Sequence, residues 1–265
     1  MNRTSVHAPA PALVAVAHGS RDPRALRTVR TLMERVRELR PGLSVHLGHI
    51  ELNEPLLPAA LAGLTDESGG GRGSSPVRAA VLVPLLLSRG HHVSHDIPRA
   101  AATAPDLHTR FADPLGPHPL VVEALYARLV EAGWRPADHG SRSAGVVLAA
   151  AGSRDPASAS DVRRTAGMLS ERLGGVPVVP AYASTRSPAV PDAVRALAAR
   201  GRHRVAVASY FTAPGRFATQ SAGAAPWIAA APLGAHPAVA RLLLHRYDRA
   251  LHSPVATRQR RLAAA

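Results

Sequence analysis

The sequence contains no cysteine, which excludes both a disulfide framework and a thiolate metal site. Any metal ion must therefore be bound by histidine, aspartate or glutamate side chains. No segment approaches the roughly 18 consecutive apolar residues of a membrane-spanning helix, and residues 1–11 lack the apolar core of a secretory signal. We therefore expect a cytoplasmic protein that has no membrane partner.

Lysine is also missing, because all 32 basic residues are arginine, and the formal net charge is +14. A charge of this size favours nucleic-acid binding where the basic residues cluster. The exclusive use of arginine is more typical of a coding bias, and aromatic residues, at 3%, are too few for a base-stacking surface. We expect no nucleic-acid partner, whereas an acidic small molecule would be attracted by the same positive field.

The 265 residues exceed the usual length of one domain, and 46% of them are hydrophobic. Helix-like segments alternate with short apolar runs at 13–17, 45–50, 77–87 and 107–112. The run at 77–87 is almost entirely apolar, which is typical of a parallel strand buried on both faces. This alternation predicts an α/β fold with parallel sheets flanked by helices, in which ligands bind at the carboxyl ends of the strands. The Gly/Ser-rich residues 68–76 are predicted to form a flexible connection.

The chain then repeats itself. The motif Ala-Gly-Ser-Arg-Asp-Pro at 151–156 matches His-Gly-Ser-Arg-Asp-Pro at 18–23, at a spacing of 133 residues. Pro-Leu-Gly-Ala-His-Pro at 232–237 matches Pro-Leu-Gly-Pro-His-Pro at 114–119, at a spacing of 118 residues. Two anchors in the same order indicate an internal duplication. We predict an N-terminal catalytic domain, a linker and a degenerate C-terminal domain, at 1–133, 134–144 and 145–265.

The two halves differ in the residues that could carry chemistry. Every candidate ligand of the first half is lost in the second: His18, Glu51, Glu54, His91 and His92 correspond to Ala151, Ser184, Ser187, Arg216 and Phe217. If the strands are parallel, the loops holding His18, Glu51 and His92 lie at one sheet edge and can converge. Imidazole and carboxylate ligands suit Fe²⁺, Co²⁺, Ni²⁺ or Zn²⁺. Two or three ligands with open positions indicate a site that uses its metal or passes it on.

Four loop motifs follow the predicted strands in order. They are His-Gly-Ser-Arg-Asp-Pro, Glu-Leu-Asn-Glu-Pro, Gly-His-His-Val-Ser-His-Asp-Ile-Pro and Pro-Leu-Gly-Pro-His-Pro, at 18–23, 51–55, 90–98 and 114–119. Together they resemble the sirohydrochlorin chelatase family in its longer, two-domain form, over nearly the whole chain. The resemblance implies two tandem chelatase-like domains. It also implies that His18 and His92 bind the metal, that His18 accepts a proton, and that Glu51 assists at the metal.

The activity implied by this resemblance is ATP-independent insertion of Fe²⁺ or Co²⁺, and less readily Ni²⁺, into sirohydrochlorin during sirohaem or cobalamin synthesis. A neutral histidine can remove pyrrole protons near neutral pH, and we assign this step to His18. We predict that the third loop binds the substrate carboxylates through its backbone N–H groups and nearby arginine, with Ser88, Arg89, Gly90 and His91 as the contacts. A Walker-type phosphate loop is absent from the sequence, so no nucleotide cofactor is expected.

A non-catalytic carrier of metal or tetrapyrrole is the main alternative, although the joint presence of His18, Glu51 and His92 disfavours it. The identity of the metal stays open, because the same ligands serve all of these ions. We expect the second half to complete the cleft and to stabilise the fold. The first half expressed alone would then be poorly soluble or would dimerise.

Other polar residues of the motifs are predicted to serve the fold. Three of them recur in the second half: Arg21, Asp22 and His118, as Arg154, Asp155 and His236. We expect Arg21 and Asp22 to pair with each other. Glu54 could equally be a helix cap, an ion-pair partner or a functional residue. His91 and His95 are expected to be exposed loop residues rather than ligands.

Overall fold

The computed structural model describes residues 10–65, 79–184 and 186–253. The first half contains β1 (Ala12–Ala17), α1 (Pro23–Leu39), β2 (Val45–His49), α2 (Leu57–Thr65), β3 (Ala79–Pro84), α3 (Ile97–Ala101), β4 (His108–Phe111) and α4 (Pro119–Glu131). The second half contains β5 (Ala144–Ala150), α5 (Pro156–Arg172), β6 (Val178–Tyr182), α6 (Val190–Ala199), β7 (Arg204–Ser209), α7 (Arg216–Ala222), β8 (Ile228–Ala229) and α8 (Pro237–His252). The predicted connection at 68–76 lies outside the described residues. No helix within the described ranges is long and apolar enough to cross a membrane.

Each half forms one parallel four-stranded sheet, in the order β2-β1-β3-β4 in the first half and β6-β5-β7-β8 in the second. The predicted pair of duplicated α/β units is thereby confirmed. Every residue of β1 and of β5 is buried, as expected for central strands covered on both faces. The chain passes from β1 to one neighbour, β2, and returns to the other, β3. This reversal opens a crevice at the carboxyl ends of β1 and β3, where open α/β sheets bind ligands.

The recurring aspartates begin the first helix of each half. The Asp22 carboxylate accepts a hydrogen bond from Arg24 N at 2.9 Å, and the Asp155 carboxylate accepts one from Ala157 N at 2.8 Å. Each aspartate is followed by proline, whose fixed φ suits the first helical position. The predicted pairing of Asp22 with Arg21 is wrong. The cap turns the carboxylate toward the first helical turn, where it binds the Arg24 guanidinium at 2.7 Å.

The recurring histidines also cap helices, which confirms the prediction that they serve the fold. His118 Nδ1 accepts a hydrogen bond from Leu120 N at 3.1 Å and so caps α4. His236 Nδ1 accepts one from Ala238 N at 3.1 Å and caps α8. An imidazole can accept these bonds only while Nδ1 is unprotonated. Burial, followed by the nearby positive charge of Arg246, lowers the pKa of His118 to about 4 and so keeps the acceptor available.

Acidification is therefore expected to weaken the α4 cap. The pKa of His118 is lower in the folded chain than the value of about 6.5 in an unfolded chain. Its contribution to stability is complete above about pH 6.5 and is lost as the pH falls toward 4. In a His118→Asn variant the amide oxygen caps without titrating. We expect the Tm of the wild-type chain to fall more steeply than that of the variant between pH 7 and pH 4, measured by circular dichroism. Parallel Tm curves would contradict the assignment.

The two halves exchange their last helices. Helix α8 of the second half packs on β3 and β4 of the first, and α4 of the first half packs on β7 of the second. One continuous apolar core therefore lies between the sheets, including Leu13, Val81, Val146, Leu242 and Tyr247. Smaller clusters cover the outer faces, under α2 and α3 in the first half and under α6 in the second. Each half thus depends on the other for part of its core.

Reciprocal hydrogen bonds hold this exchange. Arg128 of α4 donates through Nη2 to Leu233 O at 2.9 Å, and Arg246 of α8 donates through Nη2 to Leu115 O at 3.1 Å. The two donors are 118 residues apart in the sequence, and so are the two acceptors, which is the spacing of the repeat. The halves are therefore related by a pseudo-two-fold arrangement that preserves individual contacts.

Residues 134–144, the predicted linker, form a packed connection. A short 3₁₀ helix occupies Pro136–Asp138. Trp134 is 1% exposed, and the buried Asp138 carboxylate binds the Arg204 guanidinium at 2.8 Å. These contacts attach the connection to the second half.

Candidate metal centre

The structure brings His18 and His92 together at the crevice between β1 and β3. Their ring centroids are 4.7 Å apart, and the rings are nearly perpendicular at 87°. The side chains are 42% and 39% exposed, respectively, so both imidazoles are accessible from the cleft. The parallel order of the strands thus produces the convergence that the loop positions predict.

The loop that carries His18 is held by the loop after β2. Gly19 has a φ of +101°, and a Cβ at this position would lie 1.8 Å from Glu51 O, so only glycine fits. Glu51 N donates to His18 O at 3.0 Å. Ser20 N donates to Asn53 Oδ1 at 2.7 Å. These bonds fix the backbone that immediately follows the His18 side chain. Sequence reasoning gave Asn53 no role, because nothing in its spacing marks a long-range partner.

Glu51 lies on the Nδ1 side of His18. Its Oε1 atom is 3.5 Å from His18 Nδ1, and its side chain is 54% exposed. Within the described ranges, no three histidine, aspartate or glutamate side chains form a group suited to a metal ion. The arrangement is therefore a pair of imidazoles with one carboxylate beside the first ring.

His92 begins a single π-helical turn, His92–Asp96, that leads into α3. This turn brings the Asp96 carboxylate to 2.6 Å from His92 Nδ1. A carboxylate in this position accepts a hydrogen bond from Nδ1–H, which orients the ring and leaves the Nε2 lone pair for a metal. Isolated π-helical turns are frequent at functional sites. Sequence reasoning missed Asp96, although a carboxylate four residues after a histidine in a helical segment is a recognisable signal.

His91, His95 and Glu54 have structural roles that the sequence analysis considered for them, as exposed loop residues and as a cap. The His91 side chain is 72% exposed, and its ring stacks on that of His95 at a centroid distance of 4.5 Å. Glu54 Oε2 accepts a hydrogen bond from Leu56 N at 2.9 Å, so Glu54 is a local cap for the turn before α2.

The start of the third loop is turned toward the second half. Ser88 Oγ lies 2.9 Å from Ser158 Oγ. The Arg89 backbone N–H donates to Asp161 Oδ2 at 3.1 Å, and its guanidinium binds the same carboxylate at 2.6 Å. The predicted use of this backbone N–H for a substrate carboxylate is therefore wrong, because Asp161 already occupies it.

The cleft lies where the carboxyl edges of the two sheets face each other. Gly90 lies against Ser153, and Gly215 lies against Ser20, so the third loop of each half adjoins the first loop of the other. An open pocket of about 370 Å³ lies beside His92 in the first half and is lined by polar and apolar residues, among them Glu51, His92, Asp96 and Arg99. Arg99 adds a positive charge to the lining of this pocket, and sequence reasoning did not identify Arg99 as a site residue.

Two half-exposed imidazoles at the switch point of a duplicated parallel α/β fold are an arrangement typical of proteins that handle a divalent metal ion at an open site. A family model described as CbiX matches residues 12–132 and again residues 145–250. The chain therefore belongs to the CbiX family and contains two copies of its domain, which confirms the resemblance seen in the loop motifs.

Curated relatives and solved structures agree with this membership. The chain is 28% identical over 181 residues to the sirohydrochlorin ferrochelatase of Bacillus subtilis, covering 67% of this chain and 64% of that protein. It is 30% identical over 145 residues to the sirohydrochlorin cobaltochelatase of Methanopyrus kandleri, covering 46% of this chain and 96% of that protein. The structure of SirB from Bacillus subtilis with Fe³⁺ superposes with a TM-score of 0.71 at 23% identity, over 91% of this chain and 96% of that one.

Proposed function

We propose that this chain is a sirohydrochlorin chelatase that inserts Fe²⁺ or Co²⁺ into its tetrapyrrole substrate without a nucleotide. The observation that carries the proposal is the pairing of His18 and His92, 4.7 Å apart, at the ligand-binding crevice of a CbiX-family chain. The metal ion is a substrate, and two imidazole ligands leave it enough open positions to be transferred. The cytoplasmic location predicted from the sequence stays a prediction.

Proton removal is assigned to His18. Metallation releases two pyrrole N–H protons, and a half-exposed imidazole can accept them one at a time, passing the first to water before it accepts the second. The Glu51 carboxylate, 3.5 Å from Nδ1, would stabilise the imidazolium that forms. The exposed Glu51 side chain can also turn toward an incoming metal ion, as the resemblance implies.

Metal delivery is assigned to His92 together with His18. The Asp96 carboxylate holds His92 Nδ1 at 2.6 Å, so Nε2 is the nitrogen available for the ion. The charge of the bound ion lowers the cost of deprotonating a pyrrole placed beside it. His18 then releases the ion as the ring nitrogens replace it as ligands, and its freed nitrogen accepts the two pyrrole protons in turn and passes each to water.

Substrate binding is assigned to the cleft between the halves. Sirohydrochlorin carries peripheral carboxylates, and arginine binds carboxylates in a paired geometry. Arg99 lines the pocket beside His92, and the Arg89 side chain is 57% exposed even while it binds Asp161. Arg89 can contribute positive charge to the cleft and Arg99 to the pocket beside His92, and Gly90 and His91 border the cleft.

The proposal is tested by anaerobic incubation of the purified chain with sirohydrochlorin and Fe²⁺, Co²⁺ or Ni²⁺, following the visible absorbance of the tetrapyrrole. We expect acceleration well above the uncatalysed rate with Fe²⁺ or Co²⁺, and the ratio of kcat/KM values ranks the metals. A tetrapyrrole that binds but is metallated at the uncatalysed rate would replace this proposal by the carrier function.

A further inference from the structure

Asp161 is a buried carboxylate of the second half that serves the first half. Its side chain is 5% exposed on α5, and its oxygens accept three hydrogen bonds from Arg89: backbone N at 3.1 Å, Nε at 3.0 Å and Nη2 at 2.6 Å. A buried carboxylate needs such partners, and a bidentate guanidinium with an added N–H defines both distance and direction. The Arg89 backbone is thereby fixed relative to α5.

Two further contacts hold the same segment from the second half. The Tyr210 hydroxyl donates to Leu87 O at 2.8 Å from a buried position. Ser158, which precedes Asp161 by one turn of α5, places its Oγ 2.9 Å from Ser88 Oγ. Three consecutive residues, 87–89, are therefore anchored by the opposite half, immediately before the loop that carries His92.

The duplication supplies an internal comparison. At the repeat spacings, Asp161 corresponds to Thr28 and Arg89 corresponds to Pro214. Thr28 carries no charge and donates within its own helix to Arg24 O at 2.8 Å, while proline has neither a guanidinium nor a backbone N–H. The anchor is thus present on the third loop that has histidines and absent from its counterpart that has none.

We propose that Asp161 is a positioning residue for metal handling, which holds His92 opposite His18 through Arg89. Gly90 O, next to the anchored residue, accepts hydrogen bonds from Val93 N at 3.0 Å and Ser94 N at 3.1 Å, at the start of the π-helical turn. A shift of the Arg89 backbone therefore moves the beginning of the turn from which His92 projects. The second half, which lacks ligands of its own, contributes to the site by this route. The inference rests on the proposed function for its role in the reaction.

The test measures Co²⁺ affinity of the full chain by spectroscopic titration without tetrapyrrole. Asp161→Asn keeps the size of the side chain and removes the charge that holds the guanidinium. We expect its Co²⁺ affinity to fall by about 10- to 100-fold, the range found when residues that orient metal ligands are changed. Arg89→Ala removes the two side-chain bonds and keeps the backbone bond, so a smaller loss is expected, and this variant leaves the α5 sequence intact.

Asp248→Asn is the matched control. Asp248 also forms a bidentate ion pair across the halves, with Arg40 at 2.6 and 2.8 Å, and it lies away from the third loop. This variant makes the same charge change and weakens the same interface. We expect its Co²⁺ affinity to equal that of the wild type, whereas a matching loss in both variants would show a general effect of weakening the interface and would overturn the proposal.

A double-variant cycle with His92→Ala decides whether Asp161 acts through His92. We expect Asp161→Asn to have little further effect on Co²⁺ affinity once His92 is absent, because coupled positions are not additive. An equal loss with and without His92, or unchanged affinity in Asp161→Asn, would overturn the proposal. Co²⁺ binding by a wild-type chain that metallates nothing would refute the proposed function, while the cycle would still report the positioning.

Discussion

A His18→Ala variant is expected to metallate sirohydrochlorin about 10²- to 10⁴-fold more slowly than the wild type in kcat, the usual contribution of a positioned acid–base group. The variant removes the proposed proton acceptor and one of the two imidazoles. Among the described residues, His91 is then the one histidine left in ring contact with His92. Single-turnover absorbance with the metal ion at saturation separates the chemical step from metal binding.

The control for this variant is His203→Ala, which removes an exposed histidine of the second half and should leave kcat unchanged. A His92→Ala variant should instead raise the KM for the metal ion, because His92 is assigned to binding. If His18→Ala altered only the KM and kept kcat, the assignment of His18 as the base would be wrong.

Residues 1–133 expressed without the second half are expected to form no stable monomer. Helix α8 covers β3 and β4, and its buried Leu242, Leu243 and Tyr247 belong to the shared core. Exposing one such side chain, or the partner that it covers, costs about 1.5–3 kcal/mol. Several of these losses together are comparable to the roughly 5–15 kcal/mol that stabilise a whole domain. We expect aggregation, or a dimer in which α4 of each copy takes the place of α8.

Sedimentation of the purified fragment distinguishes these states, and co-expression with residues 134–265 should restore a folded, active complex. Asp161 would be absent from the fragment dimer, since Thr28 stands at its position. We therefore expect even a folded dimer to be a weaker metal binder than the full chain. A monomeric fragment with the full metallation rate would contradict both the shared core and the contribution of the second half.

The sequence was sufficient to predict the sheets and the close approach of the two candidate histidines. Apolar runs predicted the strands, and the duplicated motifs predicted two equivalent units. The differences between the repeats selected His18 and His92, which the structure brings side by side. These features are local in the chain or follow from the rule that parallel strands share a carboxyl edge. For that reason a single sequence can reveal them.

The contacts between the halves could not be predicted in this way. Asp161 occurs in a helix with the polar pattern of a surface position, and its partner Arg89 is 72 residues away. The exchange of α4 and α8 depends on how two amphipathic helices cross at the pseudo-two-fold axis, which repeat spacing does not encode. Even Asp22 was assigned the wrong neighbour, since the choice between Arg21 and Arg24 follows from the direction in which the capped helix leaves the loop.

The exchanged helices also constrain the order of events during synthesis. The residues that carry His18 and His92 leave the ribosome early, but the helix that covers β3 is the last one in the described chain. At about 5–20 residues per second, several seconds or more separate the two events. The inner faces of β3 and β4 stay without their α8 cover during that interval. A complete core for the first half is therefore a property of chains translated through α8, and interrupted chains expose apolar surface that chaperones and proteases recognise.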